Sequence, residues 1–189
     1  MTHPQPDQQS DQQSHDGGDG PFAQLLAANR TYASTFDLGG LAAPAAKRFC
    51  LVTCMDSRIE PLVALGLVPG DAKILRNAGG RVTADVLRSL VLATTYLGVT
   101  AVAIMHHTDC AMTHLDGPGI QSALSADQRA ATEGWDFLTM ADADAALADD
   151  VAAAGGCAGL VAGTAVAGWR YDVGTGRIAQ VVAPLVVGA

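Results

Sequence analysis

The chain has 189 residues, and eleven Lys and Arg against nineteen Asp and Glu leave a net charge of −8 at pH 7. That length suits one domain, and 49% hydrophobic residues suffice for a core, so the chain is not disordered as a whole. The acidic balance argues against a nucleic-acid partner, because such surfaces need clustered Lys and Arg; the nearest approach, Lys47-Arg48, is isolated.

No apolar run reaches the ~20 residues of a membrane span. Residues 90–105 are interrupted by Gly98, and residues 160–167 by Gly163. The opening MTHPQPDQQS has neither the basic nor the apolar part of a signal peptide, so a cytoplasmic protein is expected. In that compartment Cys50, Cys54, Cys110 and Cys157 are expected as thiols or metal ligands rather than disulfides.

Residues 1–20 read as a disordered acidic, Gln-rich tail; Asp7, Asp11, Asp16 and Asp19 carry half of the net charge. One domain, 21–189, follows. PFAQLLAANRTYAS predicts a first helix with Pro21 near its first turn and Phe22, Leu25, Leu26 and Asn29 on one face. After a loop through Gly39-Gly40 and Pro44, FCLVTC (49–54) is an apolar run without alternation, the mark of a strand buried on both faces.

A short helix over 59–65 stops at Gly66, and Pro69-Gly70-Asp71 is a turn signal. AKILR (72–76) predicts a second strand that runs into the loop Asn77-Ala78-Gly79-Gly80. The clearest helix opens at Thr83, a natural N-cap, has Asp85 in its first turn and ends at Gly98. TAVAIMHH (100–107) is the third strand. The alternation of strand and helix predicts βαβ units and a parallel sheet.

Ser125-Ala126-Asp127-Gln128 fits a capping box. An Ala-rich helix is predicted over 142–154, with Asp136, Asp142, Asp144, Asp149 and Asp150 read as a solvated acidic face. LVAGTAVAGWRYDV and RIAQVV around a GTG turn predict a hairpin at the sheet's edge.

Two segments carry chemistry: Cys54-Met55-Asp56-Ser57-Arg58 after the first strand, and His107-Thr108-Asp109-Cys110 after the third. Ligands of open α/β sheets bind beyond the carboxyl ends of strands, where the strand order reverses. In a 2-1-3 order Cys54 and Cys110 would meet there. Cys, His and Cys are zinc ligands by softness, and three protein ligands leave one position of a tetrahedral ion open, as in catalytic sites.

In an extended segment residues i, i+2 and i+4 share a side, so Asp56 and Arg58 would face the Cys54 sulfur. A carboxylate there could orient a metal-bound water, with the guanidinium gripping the carboxylate. Two buried cysteines and a hydrogen-bonded strand-end histidine would also satisfy these spacings. Spacing alone does not choose between His106 and His107. Cys50, ~13 Å back along the strand, reads as a core thiol, and Cys157 as structural. His114 reads as an ordinary loop histidine or a proton shuttle near the mouth, and His3 and His15 lie in the tail.

CMDSR, RNAGG (76–80) and HHTDC occur in the order and spacing of the β-class carbonic anhydrase family, and residues 51–112 resemble that family throughout. The compact chain is similar to its short microbial branch. One departure is Ala111, where the family usually has Gly after the second zinc cysteine; residues 115–139 match least well.

The resemblance implies a central, mostly parallel sheet of order 2-1-3-4 with an edge strand, flanked by helices. It implies Zn2+ on Cys54, His107 and Cys110, with His106 in the core or behind the ligands. Asp56 and Arg58 would be the catalytic dyad, with Asp56 alternatively a fourth ligand in a closed state. Gly79 and Gly80 allow close backbone approach, as substrate-binding residues or for turn geometry alone.

The implied activity is reversible hydration of CO2 to bicarbonate and a proton by attack of zinc-bound hydroxide, in a homodimer or multiple of dimers whose N-terminal helix packs on the partner. Two thiolates and a neutral imidazole cancel the zinc charge, so bound water should be less acidic than the pKa of ~7 of a three-histidine site, and activity should rise toward alkaline pH. The alternatives are hydrolysis of CS2 or carbonyl sulfide on the same zinc, and a zinc-binding member without catalysis.

Overall fold

A computed structural model describes residue 20 and residues 22–189. Pro21 and the tail before residue 20, with His3 and His15, lie outside the described residues. The chain divides into two compact units, one ending at Gly40 and the other spanning Leu41–Ala189. In the first, the helix expected over 21–34 forms as α1 (Ala23–Ala33). None of its residues is buried, and the Tyr32 and Phe36 rings pack together at 5.6 Å between centroids.

The second unit runs β1 (Phe49–Cys54), α2 (Pro61–Ala64), β2 (Ala72–Asn77), α3 (Ala84–Tyr96), β3 (Ala101–His107), α4 (Ala111–His114), α5 (Gly117–Ala123), α6 (Ala126–Ala131), α7 (Ala143–Gly155), β4 (Ala165–Tyr171) and β5 (Ile178–Val186). A single five-stranded sheet has the order β2-β1-β3-β4-β5. β1 to β4 are parallel, and β5 pairs antiparallel with β4. This is the expected 2-1-3-4 order with an edge strand. The closing hairpin supplies that edge: β4 pairs with β3 over its whole length, and β5 is the edge strand.

Local chemistry explains the elements that position the site. FCLVTC is buried from Cys50 to Cys54 because the sheet is covered on both faces. On one face Cys50, Val52, Leu90, Ile104, Leu147, Val151 and Val166 form a core with α3 and α7; on the other lie Leu51, Cys54, Ile59, Met105, Cys110, Met140 and Tyr171. Thr83 Oγ1 accepts the Val86 amide at 3.3 Å and caps α3, and Ser125 and Gln128 form the reciprocal capping box of α6.

The register sets Thr53 beside Met105, so the carboxyl ends of β1 and β3 stand side by side where the strand order reverses. One side chain of the acidic run departs from the expected solvated face. Asp150 is only 3% exposed, because α7 turns Ala146, Leu147, Asp150, Val151 and Ala154 inward together.

Candidate metal centre

Cys54 ends β1 and His107 ends β3, while Cys110 caps the short α4 that follows. All three are buried, and their ligand atoms lie within 4.8 Å of one another. Three residues from two separate segments thus meet at the sheet's switch point. The strand's alternation separates the two histidines. His107 joins the cysteines, and His106 Nε2 lies 3.0 Å from Asp150 Oδ2.

The donor set fits a zinc ion. His107 Nδ1 lies 2.9 Å from the Thr108 carbonyl, which only accepts, so Nδ1 carries the hydrogen and Nε2 the lone pair. That Nε2 is buried and has no hydrogen-bond partner. Orphaned buried polar atoms are rare and need an explanation; two cysteine sulfurs facing a free imidazole lone pair give one. The neighbouring Cys110 thiol lowers the Cys54 pKa against the cost of burial. Cys110, facing that thiolate in the same buried spot, is raised. Burial opposes a charged His107 ring, but the adjoining Cys54 thiolate outweighs it and raises the His107 pKa. The pocket therefore concentrates negative charge and removable protons, which a soft divalent cation would replace.

Asp56 stands just outside this group, its Oδ2 3.9 Å from His107 Nε2. Arg58 grips it bidentately, Nη2 donating to Oδ2 at 2.7 Å and Nε to Oδ1 at 3.0 Å. The Arg58 amide adds a bond to Oδ1 at 2.9 Å. These donors hold the Asp56 carboxyl well below the usual carboxylate range. The expected pairing of Asp56 with Arg58 is present, but not by extended backbone. The strand ends at Cys54, and the segment turns, with the Ile59 amide donating to the Asp56 carbonyl at 3.1 Å. The Asp56 side chain stabilises that turn through the Arg58 amide.

Gly79 and Gly80 are buried in a single 3-10 turn after β2, with φ of 76° and 70°. A Cβ on Gly80 would sit 2.9 Å from the Cys54 nitrogen, so both the left-handed backbone and the close approach require glycine there. Gly79 lines a cavity of ≈ 210 Å³ with Cys54, Met55, Asp56, Ala78, Cys110, Ala111 and Met112. Ala111, the departure from the family pattern, is exposed and opens α4 without displacing Cys110.

Two residues of the site lay outside the expected set. Arg76 donates to three main-chain carbonyls of the loop carrying Asp56: Cys54 at 2.9 Å, Ile59 at 3.1 Å and Asp56 at 2.6 Å. Asp109 has φ 53°, and Arg58 holds both its carboxylate, at 2.8 Å, and its carbonyl, at 3.0 Å. Arg58 thus ties the two ligand loops together. Both residues lie inside the quoted motifs, but their partners are too distant or too anonymous to read there. Cys50 is a core thiol whose pKa burial pushes up to about 12. His114 is exposed, 3.4 Å from Asp109.

A family model described as carbonic anhydrase matches residues 49–140. The chain is 33% identical over 156 residues to "Beta-carbonic anhydrase 1" of Mycobacterium tuberculosis, covering 82% of this chain and 94% of that protein. It is 45% identical over 74 residues to "Carbon disulfide hydrolase" of Saccharolobus solfataricus, which covers 39% of this chain and 36% of that protein. Among solved structures, carbonic anhydrase from Streptococcus mutans superposes with a TM-score of 0.79 and 37% identity, over 85% of this chain and 96% of that one. A likeness that runs through sheet, switch point and both ligand loops is one of common descent, and the chain belongs to the β-carbonic anhydrase family.

Proposed function

We propose that Cys54, His107 and Cys110 hold zinc, and that Asp56 and Arg58 are the catalytic residues of reversible CO2 hydration to bicarbonate and a proton. The observation that carries this reading is the buried, unpartnered Nε2 of His107 facing two cysteine sulfurs, with an ionised carboxylate 3.9 Å away. Zinc, when bound, supplies a Lewis acid that activates water for attack on the carbon of CO2. Asp56 accepts a hydrogen from the attacking water and orients its lone pair. Arg58 keeps Asp56 ionised and fixed, so no reorganisation is needed during reaction.

Gly79, Ala111 and Met112 wall the ≈ 210 Å³ cavity on which Cys54 and Asp56 also open. Its mostly apolar lining suits a small, linear, uncharged substrate; Gly79, without a side chain, leaves that substrate room, while Gly80 holds the turn against Cys54. Arg58 engages both Asp56 oxygens, which favours Asp56 as a member of the dyad over Asp56 as a fourth ligand in a closed state. We take 21–189 as one catalytic domain behind an acidic tail.

The likeness to carbon disulfide hydrolase supports a second reading, CS2 hydrolysis on the same residues, but it spans only 39% of this chain. Turnover of CO2 and CS2 by the same zinc-loaded preparation discriminates. CO2 is expected to be hydrated faster; turnover of CS2 alone would reverse the assignment.

Phe22, Leu25 and Leu26 are 56–70% exposed around the start of α1. A second copy of this chain is the occupant we propose, giving a dimer of the 19.3 kDa chain. Light scattering should give twice that mass or an even multiple of it; a monomer at micromolar concentration would refute the dimer. The described helices include none long and apolar enough to cross a membrane.

A further inference from the structure

The carboxylate of Asp150 is buried behind the metal centre, on the opposite face of the sheet from the triad. Its side chain is 4% exposed, yet its hydrogen bonds are made. Oδ2 accepts from Arg81 Nε at 2.7 Å and lies 3.0 Å from His106 Nε2, while Oδ1 accepts the Val82 amide at 2.9 Å. Arg81 in turn donates from Nη1 to the Leu138 carbonyl at 2.9 Å. The Asn77 side chain brackets Arg81, accepting its amide and donating to its carbonyl, both at 2.8 Å.

A buried charge is costly unless paired and hydrogen-bonded. Here Arg81 supplies the countercharge and three donors complete the set, so the carboxyl stays below its usual range despite burial. The partners are placed to matter. His106 precedes His107 on β3. Arg81 follows Gly80, whose backbone packs against the Cys54 amide. One carboxylate on α7 therefore ties together the strand end that carries one ligand and the glycine turn that supports another.

We propose that Asp150 is a positioning residue of the metal centre, pinning β3 through His106 and the glycine turn through Arg81, and so setting how tightly the triad retains zinc. The proposal rests on the reading of Cys54, His107 and Cys110 as zinc ligands. Replacing Asp150 leaves all three ligands in place but frees the segments that aim them. Outer partners of this kind typically change metal affinity by about 10- to 100-fold.

The test is the rate of zinc release from the full zinc-loaded chain into an excess of chromogenic chelator, well below the unfolding temperature. Asp150→Asn should release zinc at least about tenfold faster than wild type. Val151→Ala serves as the control, because it cuts a buried side chain on the same helix without touching the network. It should lower the melting temperature and leave release unchanged.

Equal acceleration in both variants, scaled to lost stability, would overturn the proposal, because Asp150 would then be a packing residue only. Unchanged release in Asp150→Asn would overturn it as well. If Asp150→Asn does not fold, Arg81→Lys carries the same comparison, faster release supporting the proposal and unchanged release refuting it. Less than one zinc per wild-type chain, or full zinc in Cys54→Ser, defeats the ligand reading and this proposal with it. One zinc per chain with unchanged release defeats the proposal alone.

Discussion

Replacing His107 with alanine is expected to strip zinc from the protein and reduce CO2 hydration to the uncatalysed background. His107 brings the only nitrogen of the ligand group, and its Nε2 is oriented by the Nδ1 contact with the Thr108 carbonyl. Without it only two sulfurs remain. Two donors do not make a zinc site of the tetrahedral kind. The ring is buried beneath the sheet's end, so a cavity also opens and stability falls, on the order of 2–4 kcal/mol for a lost buried side chain of this size. Zinc content by atomic absorption after dialysis, with circular dichroism to establish folding, checks the first effect. A folded variant retaining one zinc per chain would remove His107 from the ligand set.

Asp56→Ala is expected to behave differently, and the contrast separates metal binding from catalysis. Asp56 is not among the three grouped donors, and Arg58 engages both of its oxygens. Its loss should leave one zinc per chain while turnover falls by about 10²- to 10⁴-fold, the range for a group that handles a proton at the reacting atoms. The turn would lose the bond from the Arg58 amide, but Arg58 keeps Asp109 and Arg76 still holds the Cys54, Asp56 and Ile59 carbonyls, so the loop should remain close to its present course. Full turnover in this variant would end the role assigned to Asp56, and loss of zinc would make Asp56 a ligand.

The parts of this site that were legible in the sequence are those whose chemistry is written in side chains of unusual type. Cys54, His107 and Cys110 stand at or just beyond the ends of two apolar strands; a 2-1-3 order suffices to bring the two cysteines together, and the choice of His107 over His106 rests on the family resemblance. The helix begun by Thr83 and the capping box at Ser125 were legible because capping is local. Asp150 was not. In an Ala-rich helix the inward face carries little hydrophobic signal, so a buried acid looks like its solvated neighbours until Arg81 and His106, 69 and 44 residues away, are seen to meet it.

Arg76 was illegible for another reason: its partners are carbonyl oxygens, which every residue has. The turn after Cys54 is not legible either, because i, i+2 alternation holds only as far as the strand does. The short helices α4 and α5 escaped because they span only four and seven residues, too short for periodicity, and α5 opens with Gly117-Pro118-Gly119, which reads as a turn.

The most direct test of the central claim is stopped-flow CO2 hydration by the zinc-loaded chain from near-neutral to clearly alkaline pH, with zinc content measured on the same sample. The account predicts one zinc per chain and turnover that rises with pH. Bound zinc without turnover at any pH, or undiminished turnover after the zinc is removed, would contradict it.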